Sequence, residues 1–275
     1  MEFFMVVLKT SASLKTPVLI IGAWFFACAV CAEEVSKIED NSFLIEEAYN
    51  QEEGVIQYIQ AYQYSHKTKE WLYTFTQEIP FPNQTHQVSY TLPVAHVPGD
   101  DATTGLGDIG LNYRYQLIAN ETVAFAPRFS LILPTGDYKD GLGNGVLGYQ
   151  VNLPLSIALS DQWISHWNLG GTYTPNAKEA SGAKADINAF SYGASLIYLQ
   201  TETFNWMLEY VRTNSQVVMP DSSKERDDVA FINPGFRLAK NYASGWQMVS
   251  GLSFPIGVGP SRDDNGVLLY LSFEK

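Results

Sequence analysis

Ile109-Gly-Leu-Asn-Tyr-Arg-Tyr-Gln-Leu117 is the stretch on which the fold turns. Every second residue is apolar (Ile109, Leu111, Tyr113, Tyr115, Leu117), and between them lie Gly110, Asn112, Arg114 and Gln116. After a break at Ile118 to Glu121 the alternation resumes with Val123, Phe125, Phe129, Leu131 and Leu133, while Ala124, Ala126, Arg128 and Ser130 take the other face. Beyond a Gly/Asp-rich stretch it returns from Leu147 to Leu159, interleaved with Gly148, Gln150, Asn152, Pro154, Ser156 and Ala158. A period of two means a β-strand, because successive side chains point to opposite faces. These runs are long: soluble strands have about five or six residues, whereas about 9–11 tilted residues cross a bilayer's hydrocarbon core. The second face carries Arg and Asn where a sandwich core would need apolar side chains. The stretch reads as transmembrane β-strands.

Working outward, the sequence shows twelve such segments, near 55–64, 70–79, 86–96, 107–117, 122–133, 146–159, 163–174, 186–199, 203–213, 229–238, 245–256 and 267–273. Their connections alternate. Pro80 to Thr85, Ile118 to Glu121, Ser160 to Gln162, Gln200 to Glu202 and Ala239 to Ser244 are short. Pro134 to Gly145, Pro175 to Ala185 and Asn214 to Asp228 are longer and rich in Gly, Pro and Asp; the Ser65 to Lys69 loop alone is too short for this pattern. Short periplasmic turns alternating with longer outer loops define an outer-membrane barrel. The expectation is an all-β fold, a transmembrane antiparallel β-barrel of about 12 strands over residues 54–275, with both ends in the periplasm. Trp163, Trp167, Tyr198, Phe204, Trp206, Tyr242 and Trp246 lie near the short turns, and Tyr62, Tyr64, Trp71, Tyr149, Tyr173 and Tyr210 near the loops. Two aromatic belts are expected where rings sit at headgroup level. The last strand, Val267 to Phe273, alternates up to a near-terminal Phe, like the C-terminal assembly signature of such barrels, with Glu274 and Lys275 added.

Composition agrees. Apolar residues make up 46% of the 275, yet mean hydropathy is −0.08, as one-sided strands require. Residues 1–32 have the form of a secretory signal: Lys9 and Lys15 precede the apolar run Val18 to Val30, and Val30-Cys31-Ala32 suits cleavage. Both cysteines, Cys28 and Cys31, fall within it, so no disulfide scaffold or thiolate metal site is expected in the secreted chain. Residues 33–53 are acidic, with one apolar cluster, Phe43-Leu44-Ile45, and are expected to form a periplasmic N-terminal segment or plug. A net charge of −12 opposes nucleic-acid binding. The expected partners are outer-membrane lipid, lipopolysaccharide and a small-molecule solute, with the barrel a monomer in the bacterial outer membrane.

The chemical motifs are weak. Gly105-Leu-Gly-Asp-Ile-Gly110 and Gly143-Asn-Gly-Val-Leu-Gly148 match GxGxxG, but each leads into a long strand where a dinucleotide site requires a helix. His66, His86, His96 and His166 are scattered without ligand spacing. No cofactor, no metal and no catalytic residues are expected. A lipid-acting serine hydrolase requires a Ser and a His from different strands to meet. The acidic pairs Asp100/Asp101, Asp227/Asp228 and Asp263/Asp264 are ordinary solvated loop residues, or hold divalent cations with lipopolysaccharide.

The interior is the informative part. Parity sends Asn112, Arg114, Gln116, Arg128, Gln150, Asn152, His166, Asn168, Glu209, Asn233 and Arg237 into the lumen. The turn length predicts Arg128 opposite Asn112 and diagonal to Arg114, with Glu209 the carboxylate that neutralises them. Such a cluster is either a packed, hydrogen-bonded filling or a charged constriction that selects solutes.

Asn41 to Glu52, Gly105 to Tyr115, and Pro127 to Tyr138 with Gly141 to Gly145 resemble the meta-pathway phenol-degradation family of outer-membrane transporters. The likeness covers most of the chain and is motif-specific over about residues 41–160. It implies passive passage of small aromatic or hydrophobic solutes through a channel; it supplies no binding residues. The competing expectation is a structural or adhesive barrel with a closed lumen.

Overall fold

The computed structural model describes residues 42–99 and 102–275. The wall strands are β1 (Gln57–Ser65), β2 (Trp71–Pro80), β3 (His86–Val97), β4 (Thr103–Leu106 with Ile109–Tyr115) and β5 (Val123–Phe125 with Arg128–Leu133). Then come β6 (Gly148–Asn152 with Leu155–Ser160), β7 (Trp163–Lys178), β8 (Lys184–Thr201) and β9 (Phe204–Val218). The last three are β10 (Lys224–Asn241), β11 (Gln247–Ser253 with Ile256–Gly257) and β12 (Gly266–Glu274). Each pairs antiparallel with the next, and β12 returns to β1 from Gln57↔Glu274 to Ser65↔Gly266. The molecule is a closed twelve-stranded transmembrane barrel, as the alternation predicts.

Strands β5, β6 and β11 are interrupted at Pro127, Pro154 and Pro255, which have no N–H to give the ladder. Their carbonyls still accept, from the N–H groups of Tyr115 (3.1 Å), Ala126 (3.2 Å) and Gly266 (2.9 Å), so the wall continues past each break.

Two expectations about the wall change. In the β4–β5 hairpin Arg114 lies directly opposite Arg128, and Asn112 opposite Ser130. The turn is tighter than its sequence implies: Ile118–Ala119 pairs with Ala124 and Phe125, and the Asn120 side chain accepts from the N–H groups of Thr122 and Val123. Closing the chain at Asn120–Val123 moves the register by one pair step. Strands β7 to β10 also outrun their apolar alternation. The stretches expected as loops continue as paired strand, Ser215↔Asp227 to Val218↔Lys224 for β9–β10. Above the bilayer both faces are wet, so the hydropathy signal vanishes while the hydrogen-bond ladder persists. A bulge between Thr174 and Ala177 absorbs Pro175 and Asn176, the latter at φ 52°.

The outer face is an apolar belt, with Leu111, Phe129, Val151, Leu169, Phe190, Leu208 and Leu269 all more than two-fifths exposed. A continuous belt of this kind suits lipid and not water. Aromatic contacts border it at both rims: Trp163 against Tyr198 and Phe204 against Trp206 near the short turns, and Tyr62–Trp71–His96 near the loops. Leu153→Arg, on the lipid side of β6, is expected to cost about 2–4 kcal/mol if it lies near the midplane. Glu121→Arg, in an exposed short turn, is expected to stay within about 0.5 kcal/mol. Urea titration of protein folded into vesicles checks both.

Among the described residues helix is limited to two three-residue 3-10 turns, Tyr138–Asp140 and Gly259–Ser261. The proposed leader and residues 33–41 lie outside the described residues, as do Asp100 and Asp101.

Candidate functional site: the lumen and its N-terminal segment

Residues 42–51 have no regular secondary structure and run inside the barrel. Because they lack a strand partner, their backbone groups must find side chains, and the inward faces of the wall supply them in order around the circumference. Gln87 on β3 accepts from Gln51 N–H (2.8 Å). Gln116, just past β4, accepts from Asn50 N–H (2.7 Å) and donates to Ala48 O (2.7 Å). Ser156 on β6 accepts from Ala48 N–H (2.8 Å). Asn168 on β7 clamps Glu46 from both sides, accepting from its N–H (2.9 Å) and donating to its carbonyl (2.8 Å). Glu209 on β9 accepts from Leu44 N–H (2.9 Å) and Ile45 N–H (3.3 Å), and its second oxygen takes Asn233 Nδ2 (2.6 Å).

The apolar cluster of the segment sits on glycines. A Cβ on Gly193 would meet Ile45 Cδ1 at 2.5 Å; on Gly235 or Gly251 it would meet the Phe43 ring at 2.6 or 2.7 Å. Three inward-facing glycines on β8, β10 and β11 therefore form sockets for Ile45 and Phe43. Phe43 also meets Tyr270 edge-on, at 6.1 Å and 89°. With Leu44, Ile59, Ile197, Met207, Val249 and Leu268 these residues build an apolar core inside the lumen.

The two wall arginines, placed opposite each other, are both taken up by the segment. Arg114 donates to Asn50 Oδ1 (2.8 Å), Glu47 O (3.2 Å) and Tyr49 O (2.6 Å), with the Glu78 carboxylate 3.7 Å away. Arg128 grips the Glu46 carboxylate through Nε (3.0 Å) and Nη2 (2.6 Å). Its Nη1 is held by Asn112 Oδ1 (3.0 Å) and by Ser130 Oγ. The expectation that Glu209 neutralises this cluster is therefore corrected: the carboxylate on Arg128 is Glu46, in the segment read from sequence as periplasmic or a plug. Of the remaining inward residues, Gln150 donates to Thr172 (3.3 Å) and Asn152 to Asn168 (3.2 Å). His166 Nδ1 is 2.7 Å from Ser156 Oγ, and Arg237 packs over the Tyr270 ring at 5.9 Å. The Ser156–His166 pair does bring a serine to a histidine. Both are buried, beneath Ala48, whose N–H bonds the same hydroxyl, so the pair acts as an anchor for the segment.

Between the segment and the loop rim lies a cavity of about 260 Å³, with Phe43, Ile45 and Glu46 on one side and Leu142 and Asn144 on the other. The loop carrying Leu142 is pinned by Asp108, which accepts from Gly136 N–H (3.0 Å) and Asn144 N–H (2.8 Å). Leu142 lies where a side chain on Gly105 would stand, which is what the first glycine motif is for. At the rim, burial pushes the Glu70 carboxyl up to about 7, aided by the Asp264 and Asp227 carboxylates and opposed by the Thr68 hydroxyl. Because the folded value is raised, its stabilisation of the 66–70 loop is complete below about pH 4.5 and is lost as pH rises through about 7. A spin label on Lys67→Cys, exposed in the same loop, is expected to gain mobility over that window, and Glu70→Gln to flatten the response.

The fold and site define a closed twelve-stranded transmembrane barrel whose lumen holds residues 42–51. No family model matches the chain, and no curated protein does. Among solved structures it is similar to an outer membrane channel from Pseudomonas putida F1, at 14% identity and a TM-score of 0.60, over 83% of this chain and 97% of that one. It is also similar to the NanC porin, at 11% identity and a TM-score of 0.53, over 78% of this chain and 98% of that one. At such identities the likeness is one of fold.

Proposed function

We propose that the protein is a bacterial outer-membrane channel for passive passage of small solutes, described here with its lumen stoppered by residues 42–51. One observation carries the reading. Beside its apolar sockets the lumen wall carries buried polar side chains, and some of them find no protein partner while the segment is seated. Both amide atoms of Asn205, Asn233 Oδ1 and Ser253 Oγ are buried and have no protein partner. Groups of this kind favour a hydrated lumen, because an amide or hydroxyl kept dry costs roughly 1–3 kcal/mol. Similarity in fold to a channel and a porin supports the same reading, as does the resemblance of residues 41–160 to the meta-pathway phenol-degradation family.

The competing reading, a structural or adhesive barrel, draws on the apolar core around Phe43. Planar-bilayer recording and liposome swelling separate the two. Brief openings in the wild type, and sustained passage of a small aromatic alcohol once the segment is unseated, are expected. Silence from every unseated variant would leave the closed barrel.

A further inference from the structure

We propose that the lumen cavity binds a small carboxylate and that Glu46 occupies its carboxylate subsite as a tethered surrogate. The inference rests on the channel reading and names the class of solute.

The subsite is built around one edge of one guanidinium. Arg128 meets the Glu46 carboxylate through two parallel bonds, Nε to Oε2 and Nη2 to Oε1, the planar fork that distinguishes arginine from lysine as a carboxylate receptor. Its third nitrogen is fixed by Asn112 and Ser130, both on the wall. The Nε/Nη2 edge therefore keeps its aim whether Glu46 is present or not. Arg114 is the contrast. It is used up by main-chain carbonyls and Asn50, and it does not line the cavity, whereas Arg128, Asn112, Ser130 and Glu46 all do.

A wall arginine that needed only neutralising would be served by a wall carboxylate. Here the partner is carried on the part of the chain that has no strand of its own. Withdrawal of residues 42–51 takes Glu46 and Glu47 out of the lumen and leaves the Arg128 fork facing the cavity. The other acids lining the space, Asp108, Glu78 and Glu70, are held elsewhere, Glu70 by the Thr68 hydroxyl (3.2 Å) at the rim. Asp108 is bound to two backbone N–H groups, and Glu78 to Gln87 Nε2 (2.6 Å). They bar an anion from the rest of the wall and so confine it to Arg128. Beside the subsite the lining turns apolar, with Ile132, Leu142 and Tyr270. At about 260 Å³ the space falls just under the roughly 300–1,000 Å³ of ordinary ligand pockets. With the segment seated, the space beside the fork has room for one small carboxylate with an apolar body.

Tethering sets the concentration scale. A group held on a short segment competes at an effective concentration in the millimolar range. A free carboxylate must reach about that level to displace Glu46, and in doing so it removes one of the anchors that seat the segment. Solute and opening are thereby linked.

The test uses the full chain in planar bilayers, with benzoate and benzyl alcohol as matched charged and neutral probes. Millimolar benzoate is expected to raise open time several-fold and benzyl alcohol to leave it unchanged. Glu46→Gln should shift the benzoate response to about tenfold lower concentration, and Arg128→Lys, which keeps the charge and loses the fork, should weaken it by about tenfold or more. Equal responses to both probes, or a benzoate response indifferent to both substitutions, would overturn the proposal. Equilibrium dialysis of labelled benzoate against detergent-purified protein provides a readout that needs no conduction. If no form conducts, the channel reading fails. Binding that Glu46→Gln strengthens and Arg128→Lys abolishes would still establish the carboxylate site, and absent binding would refute it.

Discussion

Gly251→Leu is expected to convert a mostly closed barrel into a conducting one. A Cβ at this position already comes within 2.7 Å of Phe43 Cε1 and 3.0 Å of Cζ, so the ring and a leucine cannot share the socket. Overpacking costs about 1–3 kcal/mol, and a phenyl group driven out of its core forfeits about 1.5–3 kcal/mol of burial. The seated state bears whichever of the two is smaller, roughly a ten- to hundredfold rise in the ratio of open to seated segment. Single-channel recording reads that ratio directly. Gly171→Leu is the control, because the nearest atom to a Cβ there is 3.8 Å away, and its open probability should match the wild type. If Gly251→Leu stays as silent as that control, Phe43 is not the latch and the β10–β11 glycines serve the wall alone.

Arg114→Ala should release the other end of the segment. The guanidinium is 3% exposed, and its three bonds hold the backbone of Glu47 and Tyr49 and the side chain of Asn50. Its loss strands buried carbonyls at a cost of roughly 1–3 kcal/mol, or about ten- to a hundredfold more time spent unseated. A glutamate-specific protease cutting after Glu46 or Glu47 measures that exposure, while heat-modifiable migration on a gel shows whether the barrel itself remains closed. Cleavage as slow as in the wild type would mean that Glu209 and Asn168 hold the segment without help from Arg114.

The wall was legible in the sequence because lipid on one side and a polar lumen on the other impose alternation on every crossing. The same rule explains where legibility stopped. Above the bilayer, Ser215 to Val218 pair with Lys224 to Asp227, yet both faces meet water and no alternation marks them as strand. Parity reads Arg114, Gln116, Arg128, Asn168 and Glu209 as inward positions, and in the structure each of them bonds residues 42–51. Parity did not identify their partners, because hydrogen bonds to main-chain N–H and C=O groups leave no trace in side-chain identity. Glu46 was overlooked as the counter-ion of Arg128 because it sits among other acids in a stretch with no period. A signal was available in Phe43-Leu44-Ile45, an apolar cluster too short for a strand, and in Gly193, Gly235 and Gly251, all glycines at inward positions. Matching those two patterns would have placed the segment in its sockets.

The pairing of β1 with β12 has a consequence for biogenesis. The seam closes β12, Gly266–Glu274, the last strand of the barrel wall, against its first, Gln57–Ser65. Residues 42–51 directly precede that first strand and make bonds to partners up to 165 positions further along the chain. A sheet still open at its seam offers these residues two sides, and closure seals in whichever side they occupy. The order of events is therefore part of the structure: the segment must lie on the concave side before the seam zips, or a finished cylinder has to be threaded afterwards through its narrow end. An assembly machine that holds the two seam strands apart until the interior is filled would give every copy the same starting state.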